Sequence, residues 1–220
     1  MPYRFTKRTG GYSHGAFASL NVALHVGDSE SIVAQNRAIV DSYFTPVQYM
    51  NQVHGNRIAI IEEQSDEAPT ADALVTGIPG ITLAVMVADC IPLLLKSKEV
   101  VAAVHVGRKG LMNSITSATI ELMRDMGANS IQAIMGPSIC GKCYEVSADI
   151  YDEVTAVYPI AKSSTTHGTI SLDLPAALRG VLADESISIV DEFSCTFEEA
   201  ELFSYRRDGV TGRQAGLISL

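Results

Sequence analysis

The chain has 220 residues, 47% of them hydrophobic and 19% charged, with a formal net charge of −9. This composition lies well away from the disordered regime and suits one domain or two intimate lobes with a substantial core. The acidic balance excludes a nucleic-acid surface, which needs a basic stripe, and no apolar run reaches the roughly 18–20 residues that span a bilayer.

The opening residues, Met1-Pro2-Tyr3-Arg4-Phe5, contain no apolar signal segment, so a cytoplasmic location is expected. A glycine-rich loop, Gly10-Gly11-Tyr12-Ser13-His14-Gly15, precedes Leu20-Asn21-Val22. Residues 31–44 read as a helix, with Ser29 or Ser31 as N-cap. Strands are expected at 58–61, 81–87 and 100–106, where β-branched residues concentrate. Ile115, Ala118, Ile120, Leu122 and Met123 have helical spacing over 114–126, with Gly127 as the stop. A strand at 131–135 follows, then helices at 147–158 and 175–183 and strands at 186–190 and 214–220. Helices and strands mix without a regular βαβα rhythm, so the fold class read here is α+β.

His54, Cys90 and His105 each sit in a compact motif: Gln-Val-His-Gly, Ala-Asp-Cys-Ile-Pro and Ala-Val-His-Val-Gly. Two imidazoles and a thiolate form a three-ligand set suited to zinc, with a fourth position open for water or substrate. Taken singly, each residue also has an ordinary reading: a turn histidine, a buried inert cysteine and a satisfied core histidine. Asp89 closes an apolar strand, where a carboxylate is costly unless it is paired, orients a ligand or moves a proton.

Gly107-Arg108-Lys109-Gly110 places two cations at a strand-to-helix junction, a reasonable anion site. Arg206, Arg207 and Arg213 cluster near the C-terminus and suit bidentate recognition of an anion. Ser13, Asn21 and Arg37 are further candidates for contact with substrate. Cys140 and Cys143 form a C-x-x-C, readable as a redox pair or as half of a zinc site. Four cysteines in a chain of this size do not suggest a disulfide framework.

The motifs also occur as an ordered set. Gly-Gly-Tyr-Ser, Ser-Leu-Asn-Val, Asn-Gln-Val-His-Gly, Ala-Asp-Ala-Leu-Val-Thr, Ala-Asp-Cys-Ile-Pro-Leu-Leu, Val-Ala-Ala-Val-His-Val-Gly, Met-Gly-Pro-Ser-Ile, Cys-Tyr-Glu-Val and Phe-Ser-Tyr-Arg-Arg-Asp-Gly-Val-Thr-Gly-Arg follow one another from about Tyr3 to the C-terminus. In this the chain resembles the YfiH or laccase-domain family, once described as multicopper polyphenol oxidases. The resemblance implies a single-domain layered α/β/β/α sandwich over residues 1–220. It also implies zinc held by His54, Cys90 and His105, and activity as a purine nucleoside phosphorylase (adenosine, inosine, methylthioadenosine) with adenosine deaminase activity.

Purine nucleoside and phosphate are then the expected partners, and the oligomeric state is left open. One departure stands out. The family usually reads His-Ala-Gly-Trp-Arg-Gly where this chain has His105-Val106-Gly107-Arg108-Lys109-Gly110, and the chain has no tryptophan. Lys109 then offers phosphate a point charge in place of a planar fork.

For deamination, Asp89 is the first candidate to move the proton. For phosphorolysis, Arg37, Lys109, Arg206, Arg207 and Arg213 are the candidates to hold phosphate. An alternative chemistry makes Cys90 the nucleophile of a Cys-His hydrolase acting on an amide or ester, with His105 as base. Zinc is preferred over copper, because a multicopper oxidase needs many more histidines than the five present.

Overall fold

In the central strand Ile91–Lys96, Leu93 and Leu95 pack toward helices while Leu94, between them, packs toward a second sheet. That alternation is the period of an extended chain, and a strand buried on both faces reads as a continuous apolar run. The computed structural model describes residues 2–44 and 46–220. In chain order its elements begin with β1 (Tyr3–Phe5), α1 (Glu30–Asp41), β2 (Val47–Gln48), β3 (Ile58–Ile60), β4 (Ala73–Thr76), β5 (Thr82–Val87), β6 (Ile91–Lys96) and β7 (Val101–Val106). There follow α2 (Arg108–Met112), α3 (Ile115–Asp125), β8 (Gln132–Met135), α4 (Ala148–Val157), β9 (Lys162–Ser164), β10 (Ile170–Leu172), α5 (Leu174–Asp184), β11 (Ser188–Asp191), α6 (Tyr205–Asp208) and β12 (Gln214–Ser219).

A six-stranded sheet runs β11-β8-β6-β7-β4-β3, parallel at its two outer pairs and antiparallel between. A four-stranded sheet runs β1-β12-β5-β2, and β9 and β10 form a separate hairpin. Three apolar clusters show how the sheets stack. Leu74, Leu94, Ala103 and Ile134 meet Leu83, Val85 and Ile218 between the two sheets. The outer face of the larger sheet packs on Ile115, Ile120 and Met123 of α3 and on Leu178 and Leu182 of α5. The outer face of the smaller sheet, through Ala84, Met86 and Leu217, packs on Val40 of α1. The result is the expected α/β/β/α layering.

The long helices lie close to their expected positions. α3 buries Ile115, Thr116, Thr119, Ile120 and Met123 along one face. It ends where Gly127 turns left-handed (φ 96°) and the Ala128 N–H reaches back to the Met123 carbonyl. In α5, Asp173 caps the first turn by accepting from the Ala176 N–H at 2.8 Å. α1 stops at Asp41, three residues short of expectation. Among the described residues, no helix is long and apolar enough to cross a membrane.

The larger correction concerns the strand that Asp89 was expected to close. β5 ends at Val87, and Asp89 and Cys90 sit in a tight turn from β5 into β6, a strand absent from the expected set. Asp89 takes a left-handed conformation (φ 94°) to make that turn. Pro92 obscures β6, since proline lacks the N–H of a ladder. It is tolerated because pairing with β8 begins only at Leu93, opposite Met135.

Candidate active site

Strand register brings the first pair together. In the antiparallel β4–β7 ladder Ala73 pairs with Val104, and one step on the His105 N–H donates to the Asp72 carbonyl at 2.8 Å. The Asp72 carboxylate therefore lies beside the imidazole of His105, with Oδ1 2.9 Å from Nδ1. The same carboxylate accepts from the backbone N–H of His54 (2.9 Å) and of Gly55 (2.7 Å). One buried carboxylate thus fixes two of the three candidate ligands. His54 is held in a left-handed turn (φ 58°), and its ring stands edge-on to that of His105 with centroids 4.6 Å apart.

The third member arrives from the β5–β6 turn. The donor atoms of His54, Cys90 and His105 all lie within 4.8 Å of one another. The edge of a zinc tetrahedron with Zn–S near 2.3 Å is roughly 3.8 Å, so small side-chain shifts close the set. Asp72 occupies Nδ1 of His105 and leaves Nε2 for a metal, the usual carboxylate–histidine arrangement. Gly107 completes the fit: a Cβ there would stand 3.0 Å from Cys90 Sγ and 3.4 Å from His54 Cδ2. These donors suit a borderline-soft divalent cation.

Burial pushes the Cys90 thiol up, but the neighbouring charge of His105 and hydrogen bonds from both imidazoles outweigh it and hold the pKa at about 6. Burial acts to lower His105, and the Cys90 thiolate together with Asp72 raises it overall. Charge on either group thus favours charge on the other, and the Asp72 carboxylate braces the pair.

The trio opens into a cleft of about 670 Å³. Its cations are Arg108, Lys109, Arg206 and Arg213. The guanidinium of Arg206 lies 5.1 Å over the ring of Tyr144, and Tyr205 is 61% exposed at the mouth. His25, also lining the cleft, is held below the usual imidazole range by burial and by the charge of Arg213.

Several expected residues lie elsewhere. Ser13 and Asn21 are buried in a network with Asp28 and Asn36 and do not line the cleft. Arg37 stacks on Tyr49 at 3.9 Å and donates to the Val22 carbonyl, beneath the smaller sheet. Arg207 turns away and donates to the carbonyls of Thr196, Phe197, Glu199 and Leu202. Asp89 does line the cleft, but its carboxylate accepts from Thr196 Oγ1 (2.6 Å), Ser204 Oγ (2.7 Å) and the Arg206 N–H (2.7 Å). The carboxylate that orients a histidine is Asp72, and Asp89 ties the cleft wall together.

The whole chain also has relatives. A family described as multi-copper polyphenol oxidoreductase laccase matches residues 2–220. The chain belongs to this laccase-domain family. A purine nucleoside phosphorylase of Corynebacterium glutamicum is 41% identical over 98% of this chain and 93% of its own length. One from Streptomyces coelicolor is 39% identical over 99% of this chain and 95% of its own. The crystal structure of Neisseria meningitidis protein NMB0706 superposes with a TM-score of 0.90 at 36% identity, covering 99% of this chain and 93% of that one.

In this laccase-domain chain Arg108 stands where tryptophan was expected, and pairs with Glu153 at 3.0 Å. It lines the cleft alongside Tyr144, which the sequence reading did not single out. Gln52 and Tyr205 were missed as well, although each sits inside a motif already recognised. Gln52 clamps the backbone of Met86 with two hydrogen bonds of 2.8 Å, fixing the floor beside His54. Asp72 was legible only as the acid of Ala-Asp-Ala-Leu-Val-Thr, because its partners are distant in sequence.

Proposed function

We propose that this protein is a metal-dependent purine nucleoside phosphorylase, and that the same cleft deaminates adenosine. The observation that carries the reading is that a His-Cys-His donor set and the cations Arg108, Lys109, Arg206 and Arg213 share one cleft. Support comes also from relatives about two-fifths identical over nearly the whole chain that are named purine nucleoside phosphorylases.

Lys109, Arg206 and Arg213 hold inorganic phosphate, whose charge an acidic chain would otherwise repel. A phosphate oxygen attacks C1′ of the ribose, the C1′–N9 bond breaks, and the purine leaves with its electron pair. Tyr144 and Tyr205 flank the base, with Arg108 taking the place of the missing tryptophan as a planar cation. His54, Cys90 and His105 would hold zinc, which when bound would supply Lewis-acid stabilisation of developing negative charge in the cleft. Asp72 keeps His105 in one tautomer and fixes the His54 turn.

Chromatographic product analysis tests this. Zinc-loaded protein should release free base from adenosine, inosine or methylthioadenosine only when phosphate is present, and should yield inosine from adenosine without it. Neither product, with one equivalent of zinc bound by the trio, would rule the nucleoside reading out.

One observation favours a second reading. Asp72, His105 and Cys90 form a hydrogen-bonded chain with the thiol shifted toward thiolate, the arrangement of a cysteine hydrolase. In that chemistry Cys90 attacks an amide or ester carbonyl and His105 protonates the leaving group. Zinc then inhibits, whereas in the first reading it activates.

A further inference from the structure

Far from the His54–Cys90–His105 set along the chain, a second group of metal-ligating side chains converges. The donor atoms of Cys140, Cys143, Cys195 and Glu198 all lie within 4.8 Å of one another. The four come from two short turns of the same pattern, ligand-x-x-ligand. In the first, the Cys143 and Tyr144 N–H groups donate to the Cys140 carbonyl, both at 3.1 Å. In the second, the Glu198 and Glu199 N–H groups donate to the Cys195 carbonyl at 3.2 and 2.9 Å.

The turns are held face to face by backbone. Ser138 bridges Cys195, with the Ser138 N–H donating to Ser194 and the Thr196 N–H donating back to Ser138, each at 3.1 Å. The Cys140 N–H points at Cys195 Sγ at 3.4 Å, and Cys143 Sγ donates to Glu198 Oε1 at 3.6 Å. Backbone amides aimed at sulfur stabilise a thiolate, which is the form a metal binds. Gly141 is required by the first turn, since a Cβ there would come within 2.7 Å of Asp173 Cβ and 2.9 Å of Ser163 Oγ.

A redox pair accounts for less of this. A Cys140–Cys143 disulfide would use two donors and leave Cys195 and Glu198 converging for no purpose. Three sulfurs and a carboxylate make up four donors, a closed tetrahedral shell with no position left for substrate, as in structural rather than catalytic zinc sites. Cys140, Cys143 and Cys195 are not joined by a disulfide.

We infer that Cys140, Cys143, Cys195 and Glu198 form a second, structural metal site for Zn²⁺ or a similar thiophilic divalent cation, stapling the 138–144 loop to the 194–199 loop. The staple lies directly behind the cleft. Ile139, which lines it, donates its N–H to the Asp89 carbonyl at 3.0 Å, and Tyr144 follows the first turn. Thr196, in the second turn, donates to the Asp89 carboxylate that also holds Ser204 and Arg206. Metal at this site fixes the wall carrying Tyr144 and Arg206, whatever reaction the cleft performs.

Metal content of protein purified under reducing conditions, with the variants Cys90→Ala, Cys143→Ser and the double variant, tests the inference. Wild type should hold two equivalents of zinc, each single variant one, and the double variant none. Cobalt added to Cys90→Ala should give the intense thiolate charge-transfer bands of a multi-sulfur tetrahedral site. Glu198 is exposed, so Glu198→Gln should keep the fold while weakening cobalt binding in the Cys90→Ala background by about tenfold or more. One equivalent in wild type, abolished by Cys90→Ala, would overturn the inference. So would a Cys140–Cys143 disulfide that forms in zinc-supplemented, reduced protein, or cobalt binding to Cys90→Ala without those bands.

Discussion

Asp72 Oδ1 lies 2.9 Å from His105 Nδ1, and the two side chains are 0% and 3% exposed. Because the same carboxylate takes the His54 and Gly55 N–H groups, it organises the candidate metal centre without belonging to it. Asp72→Asn keeps the shape but removes the charge and one acceptor. Its metal affinity should fall about 10–100-fold, measured by chelator competition. Unchanged affinity would leave Asp72 a purely structural residue. Asp72→Ala also leaves the buried His105 imidazole and the part-buried His54 and Gly55 N–H groups without their acceptor, and should lose about 2–4 kcal/mol in denaturant unfolding.

The thiolate of Cys90 should be visible in its chemistry. With a pKa lowered to about 6, the thiol is ionised at neutral pH and reprotonates only as pH falls through that value. In metal-free protein, alkylation of Cys90 followed by mass spectrometry should therefore inflect near that pH, well below the ordinary thiol value of about 8.5. Asp72→Asn, by weakening the positive charge on His105, should move the inflection upward. Saturating zinc should protect Cys90 across the range.

Gly107 tests how tightly the centre is built. Its φ of −88° is open to any residue, so Gly107→Ala introduces crowding without backbone strain. A methyl 3.0 Å from Cys90 Sγ must displace the thiolate or the His54 ring. Cobalt-substituted Gly107→Ala should show a shifted visible spectrum and weaker metal retention with little loss of thermal stability. An unaltered spectrum would mean the ligands have room to spare.

Phosphate binding should separate the arginines. Arg206→Ala and Lys109→Ala should each raise the KM for phosphate by about tenfold or more, the worth of one charge-assisted contact, with a smaller effect on the KM for nucleoside. Arg207, whose guanidinium is spent on four backbone carbonyls, should instead cost stability when replaced. Equal kinetic effects at Arg206 and Arg207 would contradict this division.

Leu94 is fully buried between the two sheets. Leu94→Ala should destabilise the fold by about 2–5 kcal/mol in equilibrium unfolding, because neighbours on both sides are held by ladders and cannot collapse into the cavity.

What the sequence determined by itself were features carried by local pattern. The faces of α3 and α5, the stop at Gly127, the apolar strands and the three motifs holding His54, Cys90 and His105 all lie within a few residues of the signals that specify them. Tertiary structure decided the rest, because it depends on register and turns between distant segments. Asp72 meets His105 only because β4 and β7 pair with Ala73 opposite Val104, and a one-residue slip would turn the carboxylate to the other face. Arg206 and Arg207, adjacent and alike in sequence, part company because α6 turns one toward Tyr144 and the cleft and the other into a cage of carbonyls. The C-x-x-C stayed ambiguous for the same reason: its decisive partners, Cys195 and Glu198, reach it from another loop through the Ser138 bridge. Local propensity writes elements into a chain, but a site is a coincidence of elements, and only packing brings them together.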